Sequence, residues 1–86
     1  VSKNIEDIAD VYRDYADSLL QMNLYPSASI NYKRALKICN DKHQKCSIPV
    51  ITDSYEGLGG CLYSEANYKA AISMYKDSFN HIPEGK

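Results

Sequence analysis

Apolar residues recur at helical spacing in four separate stretches of the chain. The first stretch holds Ile5, Ile8, Tyr12, Tyr15 and Leu19, stepping by three and four. The second holds Ala28, Tyr32, Ala35 and Cys39, with Leu36 and Ile38 beside them. Ile51, Tyr55, Leu58 and Leu62 form the third, and Tyr68, Ile72, Tyr75, Phe79 and Ile82 the fourth. Each set is one face of an amphipathic helix. Polar and cyclic residues mark the ends. Asn4 or Ser2 is positioned to cap the first helix, and Glu6 and Asp7 suit the positive end of its dipole. Pro26 and Pro49 fall in the first turns of the second and third helices, where a missing N–H costs nothing, with Ser47 as the cap of the third. Asn67 is the expected cap of the fourth and Pro83 its stop. The one β-rich window, Ile48-Pro49-Val50-Ile51-Thr52, contains a proline that argues against a paired strand. Asn23-Leu24-Tyr25 and Glu65-Ala66-Asn67 are links of the length that joins antiparallel neighbours. The pattern predicts an all-α chain of two antiparallel helix-turn-helix hairpins.

The two halves are alike. Tyr12, Ala16, Leu19, Tyr25, Ala28, Tyr32 and Ala35 align with Tyr55, Gly59, Leu62, Tyr68, Ala71, Tyr75 and Ser78, each 43 positions on. Small residues stand where helices would cross closely, and large rings fill the wedges beside them. A plain four-helix bundle with Tyr and Ala in its core is the alternative, against which the constant offset argues. The second half reads Tyr55-x2-Leu58-Gly59-x2-Leu62, then Ala71-x3-Tyr75, then Pro83. The first reads Tyr12-x2-Tyr15-Ala16-x2-Leu19, then Ala28-x3-Tyr32, then Ala35. This resembles the tetratricopeptide repeat, whose pattern is W-x2-L-G-x2-Y, then A-x3-F, then P. The resemblance spans about residues 5–83 and implies a single domain over 1–86. Repeat one would run over about 5–42, an insert over about 43–51 and repeat two over about 52–83, stacked as a fragment of an α-α superhelix. Two departures stand out. Asn40 takes the place of the first repeat's proline, and the period is 43 where the family has 34. The simplest expectation is that helix two continues past Asn40 to about Lys45 and helix three begins near Pro49.

Composition narrows the function. The chain has 86 residues, 24% of them charged, with a formal net charge of −1. That balance gives no whole-chain attraction to nucleic acid or anionic membrane, and neither is an expected partner. No apolar run approaches the ~18 residues of a membrane span. Cys39, Cys46 and Cys61 are an odd number without a CxxC, which reads as reduced thiols in the cytoplasm, with the nucleus as the alternative. The start, Val1-Ser2-Lys3, has no Met and reads as part of something longer. Eight Tyr, one Phe and no Trp make tyrosine the main source of core volume, and each buried hydroxyl needs a partner or a path to water.

By the resemblance, the first helix of each hairpin lines a concave groove that holds a peptide or partner segment. The charges give that layer a character. The first helix carries Glu6, Asp7, Asp10, Asp14 and Asp17 against Lys3 and Arg13, and the third carries Asp53, Glu56 and Glu65 with no base. The second carries Lys33, Arg34, Lys37, Lys42 and Lys45 against Asp41. The expected groove residues are Asp10, Arg13, Asp17, Asp53, Glu56, Gly60 and Tyr63, with Asp14 and Gly57 at the margin. Arg13 occupies a slot that resembles the carboxylate clamp of chaperone-binding relatives, but Asp17 and Gly60 stand where the clamp needs Asn. A basic or mixed-charge segment is therefore the expected partner, and a C-terminal carboxylate tail is not. For any one of these acids the plain alternative is a solvated helix face. Gly57 and Gly60 show no packing reason in the sequence, so they would either relieve the groove for a ligand backbone or fray the helix.

Other chemistry is thin. Cys39, His43 and Cys46 share one helical face but lack a fourth ligand, so neither a metal nor a cofactor is expected. No nucleophile has a base placed beside it by a local motif, and His43 and His81 read as helix-end dipole partners, so the chain is not expected to be an enzyme. Glu56-Gly57-Leu58-Gly59-Gly60 lacks the Lys-Ser/Thr of a phosphate loop. The sequence points to a protein-interaction scaffold within a larger protein. The alternative is a structural segment of a longer array with no ligand of its own. Two hairpins are few for a stacked core, which predicts either self-association through the exposed repeat ends, the faces of helices three and four, or more repeats in the full protein.

Overall fold

The computed structural model describes residues 5–41 and 46–82. They form four α-helices: α1 (Ile5–Gln21), α2 (Tyr25–Asn40), α3 (Ile48–Ser64) and α4 (Tyr68–Asn80). Among the described residues there is no strand, so the chain is all-α as expected. α1 packs on α2, α2 on α3 and α3 on α4, and α1 also reaches α3. Two helical hairpins are thus stacked through α2 and α3. No helix among the described residues is long and apolar enough to cross a membrane.

The helix ends follow from local chemistry. Pro26 and Pro49 lie in the first turns of α2 and α3, with Ser47 as the extended residue just before α3. Asn67 stands at the N-cap of α4, but its side chain makes no capping bond; its backbone carbonyl instead accepts from the Ala71 N–H at 3.0 Å. The two hairpin turns use the same bonds at positions 43 apart. The Leu24 N–H reaches back to the Leu19 carbonyl (2.9 Å) and the Asn67 N–H to the Leu62 carbonyl (2.8 Å). Asn23 and Ala66 each take a left-handed φ, 61° and 62°, which lets the chain reverse while satisfying the last carbonyls of α1 and α3. Asn tolerates that conformation; Ala66 adopts it at a cost of about 1 kcal/mol or more. Asn4, Ser2, His43 and Pro83 lie outside the described residues.

The core has two connected parts. In one, Tyr32 and Leu36 of α2 pack with Ala16 and Leu19 of α1 and Leu58 and Cys61 of α3. In the other, Ala9 of α1, Ala35 and Cys39 of α2 and Val50 of α3 pack together. Thr52 and Ser78, 43 positions beyond Ala9 and Ala35, are also buried, and the Ser78 hydroxyl donates to the Thr52 carbonyl at 3.2 Å.

Several expectations need correction. On α1 the covered residues are Ala9, Ala16 and Leu19, while Ile8 and Tyr15 are exposed. Two helices approach α1 over its alanines, so the buried stripe is rotated away from its largest side chains. The whole apolar set of α4 and its end, Tyr68, Ile72, Tyr75 and Phe79 with Ile82 just beyond the helix, is exposed, because only α3 packs on α4 and covers Ala71 and Ser78. Gly57 does have a packing reason. A Cβ built on it would lie 2.1 Å from Cζ of Tyr32, so the missing side chain is the slot for that ring. Gly60 is different, since a Cβ there meets nothing nearer than the Tyr75 hydroxyl at 3.9 Å.

α2 ends at Asn40 and Asp41 turns to extended backbone, so the helix does not run on toward Lys45. The stop goes with a disulfide between Cys39 and Cys46. Their Cα atoms are 5.3 Å apart, whereas seven residues of continuous helix would separate them by roughly 10 Å. The expectation of reduced thiols is thereby overturned for two of the three cysteines; Cys61 alone is free, and it is buried. The same bridge removes Cys39 and Cys46 from any metal site. It also removes the support that unpaired thiols lent to a cytoplasmic setting.

Two outcomes follow for stability. Gly57→Ala is expected to destabilise the chain by about 1–3 kcal/mol through overpacking against Tyr32, while Gly60→Ala gains up to about 1 kcal/mol of helix propensity. Urea denaturation of both variants checks the pair; a Gly57→Ala protein as stable as Gly60→Ala refutes the slot. For the bridge, the denatured, unreduced chain should titrate one thiol, and Cys46→Ser should cost about 2–3 kcal/mol from lost loop closure.

Candidate functional site

The α1 face that looks onto α3 carries acids around one base. Asp10, Asp14 and Asp17 stand three before, one after and four after Arg13, so all lie within reach of its guanidinium on the helix surface. α3 adds Asp53 from the neighbouring hairpin. Nη2 of Arg13 pairs with Asp10 and lies 3.2 Å from Asp14, Nη1 pairs with Asp53 at 2.6 Å, and Nε lies 4.0 Å from Asp17. The Arg13 side chain is only 16% exposed, whereas its four partners are 43% to 66% exposed. One cation is therefore enclosed by four carboxylates, and the surplus of negative charge faces solvent. Burial pulls the Arg13 pKa down, but the carboxylates outweigh it and hold the group above its ordinary value.

Asp17 has a second partner below the surface. The hydroxyl of Tyr32, a side chain fully buried between the helices, donates to Oδ1 of Asp17. Burial, and then this bond to an anion, raise the Tyr32 pKa well above the usual phenol range. A polar chain thus runs from α2 through α1 to α3: Tyr32, Asp17, Arg13, Asp53. It ties the surface charges to the ring at the centre of the core.

The expected groove residues divide. Asp10, Arg13, Asp17 and Asp53 converge, with Asp14 joining them from the margin. Glu56 instead lines an open cavity of about 430 Å³ with Tyr75, Ser78, Phe79 and Ile82, on the α4 side of α3. Gly60 lies under the Tyr75 hydroxyl. Tyr63 packs against Tyr68 with ring centroids 5.5 Å apart, beside the second turn. Tyr32 is the residue that sequence reasoning left out. Its signal was present, since a tyrosine in a buried stripe needs an acceptor, and the acid Asp17 has no counterpart at Gly60 in the second half.

Elsewhere the polar contacts are structural. His81 lies at the end of α4, where Nδ1 donates to the Asp77 carbonyl at 2.8 Å and the ring stacks on Tyr55 at 5.3 Å. Arg34 of the basic α2 face lies over the Tyr12 ring at 5.9 Å. No group of three or more His, Cys, Asp or Glu among the described residues could hold a metal ion.

Comparison with protein-family models, with curated proteins and with solved structures gives no match to this chain.

The buried phenol makes an alkaline signature. Because the fold raises the Tyr32 pKa, the stability it contributes is complete below pH ~10, the ordinary phenol value, and is lost as pH rises toward the folded value. Of the eight tyrosines, Tyr32 should be the last to ionise in an absorbance titration and should do so only as the helical signal is lost. Tyr32→Phe should cost about 1 kcal/mol at neutral pH and flatten the alkaline decline.

Proposed function

We propose that the chain is a protein-interaction scaffold of two tetratricopeptide-like hairpins that holds a basic or mixed-charge segment of a partner along α1 and α3. The observation that carries this reading is the enclosure of Arg13 by Asp10, Asp14, Asp17 and Asp53. A base already paired with four carboxylates has no free fork to offer an incoming carboxylate, and an acidic tail would meet like charge. A Lys- or Arg-bearing segment finds several half-exposed acids held at fixed spacing. The likeness of the hairpins is supported by the matching turns and by the small-residue pairs at one offset. The Cys39–Cys46 bridge favours an oxidising setting for this work over the cytoplasm.

A second reading, a structural segment that binds nothing in its groove, draws on the exposed apolar set of α4. The two separate in a peptide titration followed by fluorescence anisotropy. On the scaffold reading, a peptide alternating Lys with Leu binds, an acidic peptide with a free C-terminal carboxylate does not, and raising the salt weakens binding. Replacing Asp10 and Asp53 together by Asn should lower affinity for the basic peptide about tenfold, at ~0.5–1 kcal/mol per charge. Failure of the basic peptide to bind, or binding indifferent to salt and to both substitutions, would refute the groove.

A further inference from the structure

We infer that the exposed face of α4 receives α1 of a second copy of this chain, in the manner in which α2 receives α3 within one copy. The surface shares Asp14 with the margin of the acidic groove, but its apolar contact does not depend on the peptide reading.

The argument starts from the internal joint. Tyr32, Leu36 and Cys39 of α2 are buried beneath α3, and on α3 Ser54 and Leu58 are buried in turn. Beyond the three α2 residues by 43 positions stand Tyr75 and Phe79 of α4 and Ile82 just past its end. Before the two α3 residues by the same number stand Val11 and Tyr15 of α1. All five are exposed, Val11 by 66% and Phe79 by 72%. The α4 face repeats the α2 half of the joint, and α1 repeats the centre of the α3 half, since the registers of the buried Val50 and Cys61 hold Asp7 and Ser18.

Neither face has the composition of a surface kept in water. Val11 stands at the register of a serine and Ile82 at that of a cysteine, Phe79 matches a leucine and Tyr75 a tyrosine, and only Tyr15, at the register of Leu58, is less apolar than its buried counterpart. Open cavities of about 430 and 350 Å³ flank Tyr75 and Phe79 on α4. Contiguous exposed apolar surface of this kind marks an interface. α1 packs on α2 and α3, and α4 on α3 alone, so the two faces do not meet within one chain. A contact between them joins two chains, and it continues the α2–α3 joint across the boundary.

Charge selects the same pairing. Lys76 lines the α4 cavity with Ile72, Tyr75 and Phe79, and α1 carries the exposed Asp14 beside Val11 and Tyr15. Tyr32 has Asp17 for its hydroxyl, but Tyr75 has Gly60 at that register, and the carboxylate that shares its cavity is Glu56. Asp14 of the second copy stands at the register of Gly57, where the α2–α3 joint leaves no room for a Cβ beside the ring, so in a wider contact it can pair with Lys76 at the rim. A carboxylate where α3 has a glycine also sets the copies further apart than α2 and α3, so the association is reversible and grows with concentration.

The contact is head-to-tail, which distinguishes it from a symmetric dimer. Sedimentation equilibrium of the chain should show mass rising with concentration past two copies. Val11→Asp and Phe79→Asp, both at exposed positions, should each be monomeric with unchanged helical circular dichroism. An equimolar mixture of the two should form dimers, because the first keeps its α4 face and the second its α1 face. Lys76→Glu should weaken association about tenfold, and Asp14→Lys in the same chain should restore most of it. A chain monomeric at all concentrations overturns the inference. So does a dimer that stops at two copies and survives Val11→Asp, which would place α4 on α4.

Discussion

The fold depends on one ring and the room made for it. Tyr32 leaves α2 and passes between Ala16 of α1 and Gly57 of α3, with its hydroxyl on Asp17. Three helices can meet there because two of them offer almost no side chain at the crossing. Burying a tyrosine this completely is tolerable only if its hydroxyl is satisfied. The acceptor that satisfies it is also a partner of Arg13, and Arg13 reaches Asp53 on the next hairpin. Core packing and surface charge are therefore parts of one arrangement, and neither hairpin supplies all of it.

That arrangement accounts for what could be read in the chain and what could not. The buried face of α2 was legible, though not its end: Ala28, Tyr32, Ala35, Leu36 and Cys39 are buried as their spacing indicates, because helices cover both sides of α2. α1 and α4 were legible as helices but not in their facing. A helix at the end of a stack buries only the side its neighbours reach, and periodicity cannot say which neighbours exist. So Ile8 and Tyr15 are exposed and the alanines beside them are buried, and the apolar stripe of α4 faces outward.

The site was legible to a similar degree. The convergence of Asp10, Arg13, Asp17 and Asp53 follows from helical spacing, which the sequence carries, plus the adjacency of α1 and α3, which only the family resemblance implied. Glu56 and Tyr63 went elsewhere because α4 competes for them: one lines the cavity beside Tyr75, the other packs on Tyr68. Gly57 was misread because the residue that fills its space lies 25 positions earlier in the chain. The Cys39–Cys46 pair was misread because a continuous helix would have held the two apart, and the break at Asp41 is what brings them together.

The bridge also reroutes the covalent path through the molecule. Between Cys39 and Cys46 the chain is joined twice, once by peptide bonds and once through sulfur. A protease that cuts anywhere between residues 40 and 45 leaves the two hairpins attached to each other. A pull applied to the two halves is carried by the sulfur link, and the peptide bonds it spans bear none of the load. The joint between the hairpins is in this sense the one place where the backbone can be severed without dividing the protein.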